Sequence, residues 1–225
     1  MSGVTIEAIA HIKTDFSTKF GIPRQAGIVE ELEAEIVFEK EYSQREALRG
    51  IEDFSHLWLI WGFSENTGKG WSPTVRPPRL GGNERKGVFA TRSPFRPNGL
   101  GLSCVKLLRI ADSGKGMPKL IVAGADLLDG TPIYDIKPYI PYADCIPDAA
   151  GGFAPDHGKE LQVHIPPELE EKIPEEKRAA LRKVLALDPR PQYIDQGYRE
   201  YGFEFASVNI RFTVNEGVLT VISLN

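Results

Sequence analysis

The chain has little of what would place it on a disulfide scaffold, around a metal or in a membrane. Two cysteines, Cys104 and Cys145, occur in 225 residues. They form no CxxC pair and have no histidines at ligand spacing, which argues against a disulfide framework and against a structural zinc site. The longest apolar run, residues 57–63, falls far short of the about 20 residues that cross a bilayer. The opening MSGVTIEAIAHIKTDF lacks an apolar core with a small-residue cleavage site, so no signal peptide is expected. A reducing cytoplasm is the expected compartment. Bulk positive charge is missing too: the net charge is −4. A nucleic-acid partner would therefore have to be met by a local patch.

Such a patch is present. Lys69, Arg76, Arg79, Arg85, Lys86, Arg92 and Arg96 fall in a segment whose one acid is Glu84, interleaved with Trp71, Phe89 and Phe95. A solvated basic face is the common meaning of such a cluster; the aromatics, which can stack on bases, weaken that reading. Within it, GVFATRSPFRPNGLGLS (residues 87–103) sets two arginines among prolines and glycines. Proline fixes φ and glycine permits sharp turns, so the loop is built to hold guanidiniums against something planar or anionic.

Around these features the chain reads as short strands. Residues 4–12 form a first strand, and residues 32–38 alternate apolar and polar at period two. Ser43, Gln44, Arg45 and Glu46 have capping-box spacing, predicting a short helix to Arg49. Residues 56–61 suit a central strand, residues 62–86 a long functional or mobile loop, and residues 88–90 a strand-like piece. Residues 102–110, 120–123 and 133–137 complete the strands, with Asp129 and Gly130 marking a tight turn. The expected fold class is mainly β: a β-barrel over residues 1–145, a linker over 146–158 and a small α+β domain over 159–225. In that last part a helix runs over 175–187 with Pro174 at its start. Strands follow over 203–214 and 218–224, joined by Asn215, Glu216 and Gly217.

Taken singly, the motifs have ordinary explanations. Gly99 and Gly101 lack the third glycine and following helix of a dinucleotide fingerprint. Ser103 has no GxSxG elbow and reads as structural. His56 at the head of an apolar strand is more often a satisfied core residue than a catalyst. Asp126, Asp129 and Asp135 read first as turn formers, although Asp126 follows a strand too apolar to leave its carboxylate casually placed.

Together, IPRQ (22–25), FSHLW (54–58), GVFATRSPFRPN (87–98), GLGLS (99–103) and DLLDGTP (126–132) resemble the TsaA-like (TrmO) family of tRNA methyltransferases. DPRPQY (188–193) and the run from Tyr201 through Gly202 and Phe203 to Phe212 resemble the extra domain of its bacterial members. The resemblance implies an S-adenosylmethionine-dependent, homodimeric β-barrel enzyme. It would methylate N6 of threonylcarbamoyladenosine beside the anticodon of threonine tRNA. By motif position the cofactor pocket would take Pro23, Arg24, Gln25, His56, Leu57, Arg92, Leu102, Asp126, Leu127, Leu128, Asp129, Gly130 and Thr131.

These residue types suit the chemistry. A guanidinium, Arg92 or Arg24, matches the methionine carboxylate, and carboxylates or carbonyls match the sulfonium and ammonium. The acceptor nitrogen carries a carbonyl substituent, so a base is useful, with His56 or Asp126 as candidates. Arg76, Arg79, Arg85, Lys86 and Arg96 would meet the RNA. Two other readings fit the same residues: a methyltransferase of this fold with another acceptor, and a non-catalytic RNA-binding barrel.

Overall fold

The computed structural model describes residues 3–114, 116–156, 158–190 and 199–225. In chain order its first strands are β1 (Ala10–Lys13), β2 (Glu33–Phe38), β3 (His56–Gly62), β4 (Thr74–Val75), β5 (Lys86–Gly87), β6 (Leu100–Asp112), β7 (Pro118–Ala123) and β8 (Pro132–Pro138). Six of them pair antiparallel in the order β1-β2-β7-β6-β3-β8. Ala10 of β1 returns to pair with Ile133 of β8, so the hydrogen-bonded ring is closed. Period-two patterning makes this possible. Ile12, Ile36, Leu57, Leu59, Val105, Leu120, Val122 and Ile133 point inward and are buried. Each such side chain stabilises the fold by about 1.5–3 kcal/mol. β4 and β5 form a separate two-stranded ribbon, Thr74 pairing with Gly87 and Val75 with Lys86.

Three local expectations differ from the observed elements. β1 begins at Ala10, and Val4 and Ile6, outside any strand, are exposed. The segment expected as a capped helix is a 3-10 turn, Arg45–Leu48, followed by a second, Ile51–Asp53. Gln44 stands at the N-cap with no side-chain capping bond, its Nε2 donating instead to the Glu41 carbonyl, and Gly50 at φ 84° interrupts the run. Val88–Ala90 is likewise a 3-10 turn, closed by Thr91, whose N–H and hydroxyl both donate to the Val88 carbonyl.

After the single-turn α1 (Pro141–Asp144) comes a second layer: β9 (Gln162–His164), α2 (Pro167–Glu170), α3 (Glu175–Ala186), β10 (Tyr201–Phe205), β11 (Val208–Asn215) and β12 (Val218–Leu224). The sheet order is β10-β11-β12-β9, with β9 parallel to β12. The run expected as one strand over 203–214 is broken at Ala206 and Ser207. Both have positive φ, 49° and 63°, as a tight two-residue hairpin of primed type requires. Pro174 caps α3 from outside its first turn, and Leu181, Val184 and Leu185 bury its inner face. Pro191, Gln192 and Tyr193 of the 188–193 motif, and residue 157 of the expected linker, lie outside the described residues.

The long connection between β1 and β2 belongs to both layers. Phe16, Val29 and Leu32 from it enter the same core as Leu181, Phe205, Phe212 and Leu219. Lys177 pairs with Asp15 at 2.5 Å and Lys183 with Glu31 at 2.6 Å. Gly21, at φ 95°, lies so close to Phe203 that a Cβ would meet its ring at 2.5 Å. This anchoring fixes the path of residues 22–27, which carry part of the candidate site. Among the described residues no helix is long and apolar enough to cross a membrane.

Candidate functional site

Asp126 lies just beyond the end of β7, where the chain runs back beside β6. Its Oδ1 accepts a 2.6 Å hydrogen bond from the Ser103 hydroxyl. That hydroxyl in turn accepts a 2.9 Å bond from the Trp61 indole N–H. Since the indole can only donate, the serine proton is directed at the carboxylate. Gly101 makes room for this arrangement: a Cβ there would sit 2.2 Å from the Trp61 ring. Burial pushes the Asp126 carboxyl above its ordinary range, opposed by the Ser103 bond, by Arg92 and by the backbone N–H of Ala26. A desolvated carboxylate with raised proton affinity is suited to taking a proton.

Residues 25–27 reach Asp126 because Gly27 N–H bonds the Gly124 carbonyl at 2.8 Å, and Gly124 N–H bonds Leu32 at 2.9 Å. Gln25 is the bridge to the arginine loop: its Oε1 accepts from Arg92 Nη1, and its Nε2 donates to the Arg24 carbonyl. Pro23 is buried and Arg24 exposed. Three segments distant in sequence (residues 23–27, Arg92 and Asp126) thus converge. The guanidinium and the carboxylate are close enough to influence each other electrostatically.

Other expected site residues fall elsewhere. Leu57 and Leu127 are buried in the ring core. His56 and Leu102 lie on the outer face of the ring, since it is Leu57 and Leu59 of β3 and Ser103 and Val105 of β6 that are buried. His56 meets the Ser55 hydroxyl at 2.9 Å and the Tyr139 ring edge. It stands three residues along β3 from Leu59, the partner of Ser103. His56 and Asp126 are therefore not brought together within one chain. Asp129 Oδ1 accepts the Thr14 N–H at 2.9 Å, and the Thr131 hydroxyl donates to the Leu128 carbonyl at 2.7 Å, both bracing the turn. Gly130, at φ 75°, gives that turn its left-handed residue.

In the basic segment, Trp71, Phe89 and Phe95 are exposed by 55%, 76% and 42%, as stacking platforms must be. Arg85 bonds the Thr74 hydroxyl, Lys86 pairs with Glu84 and Arg79 with Asp156. Arg76 is exposed. Arg96 folds back to donate to the carbonyls of Thr91 and Ser93, so it braces its own loop. The roles of Ser103, Trp61 and Gly101 escaped the sequence reading. The one trace of them is the glycine two residues before an inward-facing serine, opposite a tryptophan in the neighbouring strand.

Fold and site together define a mainly β protein in which Gln25, Arg92 and Asp126 are brought together from three loops. It stands apart from doubly wound cofactor folds: Gly99 and Gly101 lead into a strand, not a helix. Comparison makes the assignment specific. Residues 11–145 match the family model of the tRNA-methyltransferase O N-terminal domain, and residues 158–225 that of the TrmO C-terminal domain. The chain belongs to the tRNA-methyltransferase O family. It is 41% identical to the tRNA (adenine(37)-N6)-methyltransferase of Escherichia coli, across 100% of this chain and 99% of that one. It is 37% identical to a putative S-adenosylmethionine-dependent methyltransferase, RcsF, of Pseudomonas aeruginosa, across 92% and 91%. A crystal structure of TrmO from Pseudomonas aeruginosa superposes with TM-score 0.80 at 30% identity, covering 100% of this chain and 99% of that one.

Proposed function

We propose that this chain is an S-adenosylmethionine-dependent tRNA methyltransferase acting on N6 of adenine 37, and specifically on threonylcarbamoyladenosine beside the anticodon of threonine tRNA. The observation that carries this reading is the convergence of residues 23–27, Arg92 and Asp126, in a chain whose full-length relative is a tRNA (adenine(37)-N6)-methyltransferase. The donor set fits the cofactor. The Arg92 guanidinium matches a methionine carboxylate, and the carbonyls of the 126–131 turn offer acceptors to its cationic groups. When bound, the cofactor supplies an electrophilic methyl group on a sulfonium. The residues that hold it would orient the acceptor nitrogen toward that methyl group. Asp126 would take the proton that N6 loses, while Ser103 holds the carboxylate in place.

The closed ring serves as a β-barrel domain over residues 1–145, joined through 146–158 to the C-terminal domain over 159–225. Arg76, Arg79, Arg85 and Lys86, with the exposed aromatics, receive the RNA, and Arg96 stiffens the loop that carries Arg92. A homodimer completes the pocket. His56 and Leu102 lie on an outer face that also exposes Leu100 and Leu108, and a second copy seated there adds them to the cluster. The setting is the cytoplasm, where tRNA is modified.

Calorimetry with S-adenosylmethionine and methylation of threonine tRNA lacking the methyl group test the reading. The expected results are saturable cofactor binding and one methyl per tRNA, located on N6 by nucleoside mass analysis. Tight RNA binding without any cofactor binding would replace this reading with a non-catalytic one.

A further inference from the structure

A cavity of about 370 Å³ lies between the 19–24 loop and the C-terminal end of α3. Its size falls within the range of small-ligand sites, roughly 300–1,000 Å³. Phe20, Ile22, Val184 and Leu187 supply apolar walls. Lys19, Arg24 and Arg190 line it as well, against a single carboxylate, Asp188. Three cations around an apolar pocket are unusual in a chain whose net charge is −4.

The local geometry explains how Arg190 gets there. Asp188 takes a left-handed conformation, φ 54°, just after the helix, where glycine or asparagine is more usual. The chain then turns so that Pro189 and Arg190 join the cavity wall. Arg190 is held flat by two 2.8 Å bonds, Nε and Nη2 donating to the two oxygens of Asp188, with its Nη1 edge outside that pair. Lys19 is steadied by a 3.0 Å bond from its Nζ to Asn66 Oδ1. Pro78, inside the basic 69–86 segment, also lines the cavity. Pro23 and Arg24 form part of its wall, and the next residue, Gln25, holds Arg92.

We propose that this cavity is a subsite for one unpaired nucleotide of the RNA, a neighbour of the acceptor base. This rests on the reading of the chain as a tRNA methyltransferase. The Phe20 ring and the aliphatic walls take a base face, and the cationic rim takes the flanking phosphates, the combination by which proteins hold single-stranded RNA. An occupant presses on the 22–25 loop and so reports RNA binding to the residue that positions Arg92.

The test uses full-length Lys19→Ala, Arg190→Ala and cavity-filling Leu187→Trp, each checked for folding by circular dichroism. Filter binding of unmodified threonine tRNA at several salt concentrations is read beside calorimetry with S-adenosylmethionine. Expected are a tRNA Kd raised about tenfold by Arg190→Ala and Leu187→Trp, a salt slope reduced by about one for Lys19→Ala, and an unchanged cofactor Kd. Exposed Lys19 keeps the test sound if Leu187→Trp misfolds. Unchanged tRNA affinity and salt slope in the folded variants overturn the subsite. If the variants weaken RNA binding while the wild type binds no cofactor and transfers no methyl, the subsite stands and the methyltransferase reading fails.

Discussion

The Ser103 hydroxyl stands between two side chains of opposite demand, accepting from the Trp61 indole at 2.9 Å and donating to Asp126 at 2.6 Å. β3 and β6 place Trp61 and Ser103 on adjacent strands, and the turn after β7 brings in the carboxylate. Ser103→Ala should cost about 1–3 kcal/mol, because a part-buried donor and acceptor both lose a partner. Urea denaturation measures this. Single-turnover methyl transfer should slow while cofactor Kd holds; an unchanged rate would show that Asp126 works without this support.

Asp126 itself should govern a pH dependence. Burial holds its folded-state proton affinity above the unfolded value, so the folded chain binds this proton more tightly. That contribution to stability is fully present below the ordinary carboxylate range and is lost as pH rises through the raised folded value. Asp126→Asn, which keeps an acceptor for Ser103, should therefore gain stability relative to wild type between pH 4 and pH 7. Paired denaturation curves at those two values check the sign, and methyl transfer by the variant should be abolished.

The two glycines of the arginine loop should behave differently. Gly101→Ala drives a Cβ into the Trp61 ring and should destabilise by about 1–3 kcal/mol, with a shift in tryptophan emission. Gly99→Ala meets nothing nearer than Phe63 at 3.9 Å and should be close to neutral. Equal effects at both positions would mean that backbone freedom, not the indole, dictates glycine here.

Arg92→Lys keeps the charge but loses the planar fork that bonds Gln25 and a ligand carboxylate together. Cofactor Kd should rise by about tenfold or more, with melting temperature nearly unchanged because Arg92 is exposed. Calorimetry and thermal melts separate the two effects.

Much of the ring was legible because its signals are local. The alternation of Ala34 and Ile36 with Glu33 and Glu35, and the apolar run of β3, depend on neighbours two residues apart. The break at Ala206 and Ser207 was not legible, since neither residue favours positive φ and the pairing of β10 with β11 imposes it. The 3-10 turn Val88–Ala90 was missed for the converse reason: its residues suit a strand, but the chain leaves the short β4–β5 pairing after Val88, whose N–H bonds the Pro73 carbonyl.

By itself the sequence determined the mainly β character and the motifs that resemble the family. Those depend on composition and short spacing. Tertiary structure decided which of the motif residues meet. Closure of the ring put Leu57 in the core and His56 outside, and packing of the 14–32 connection against α3 carried Gln25 to Arg92 and Ala26 to Asp126. Contacts between segments so distant in sequence exist only once both cores have formed, because no local preference holds them together.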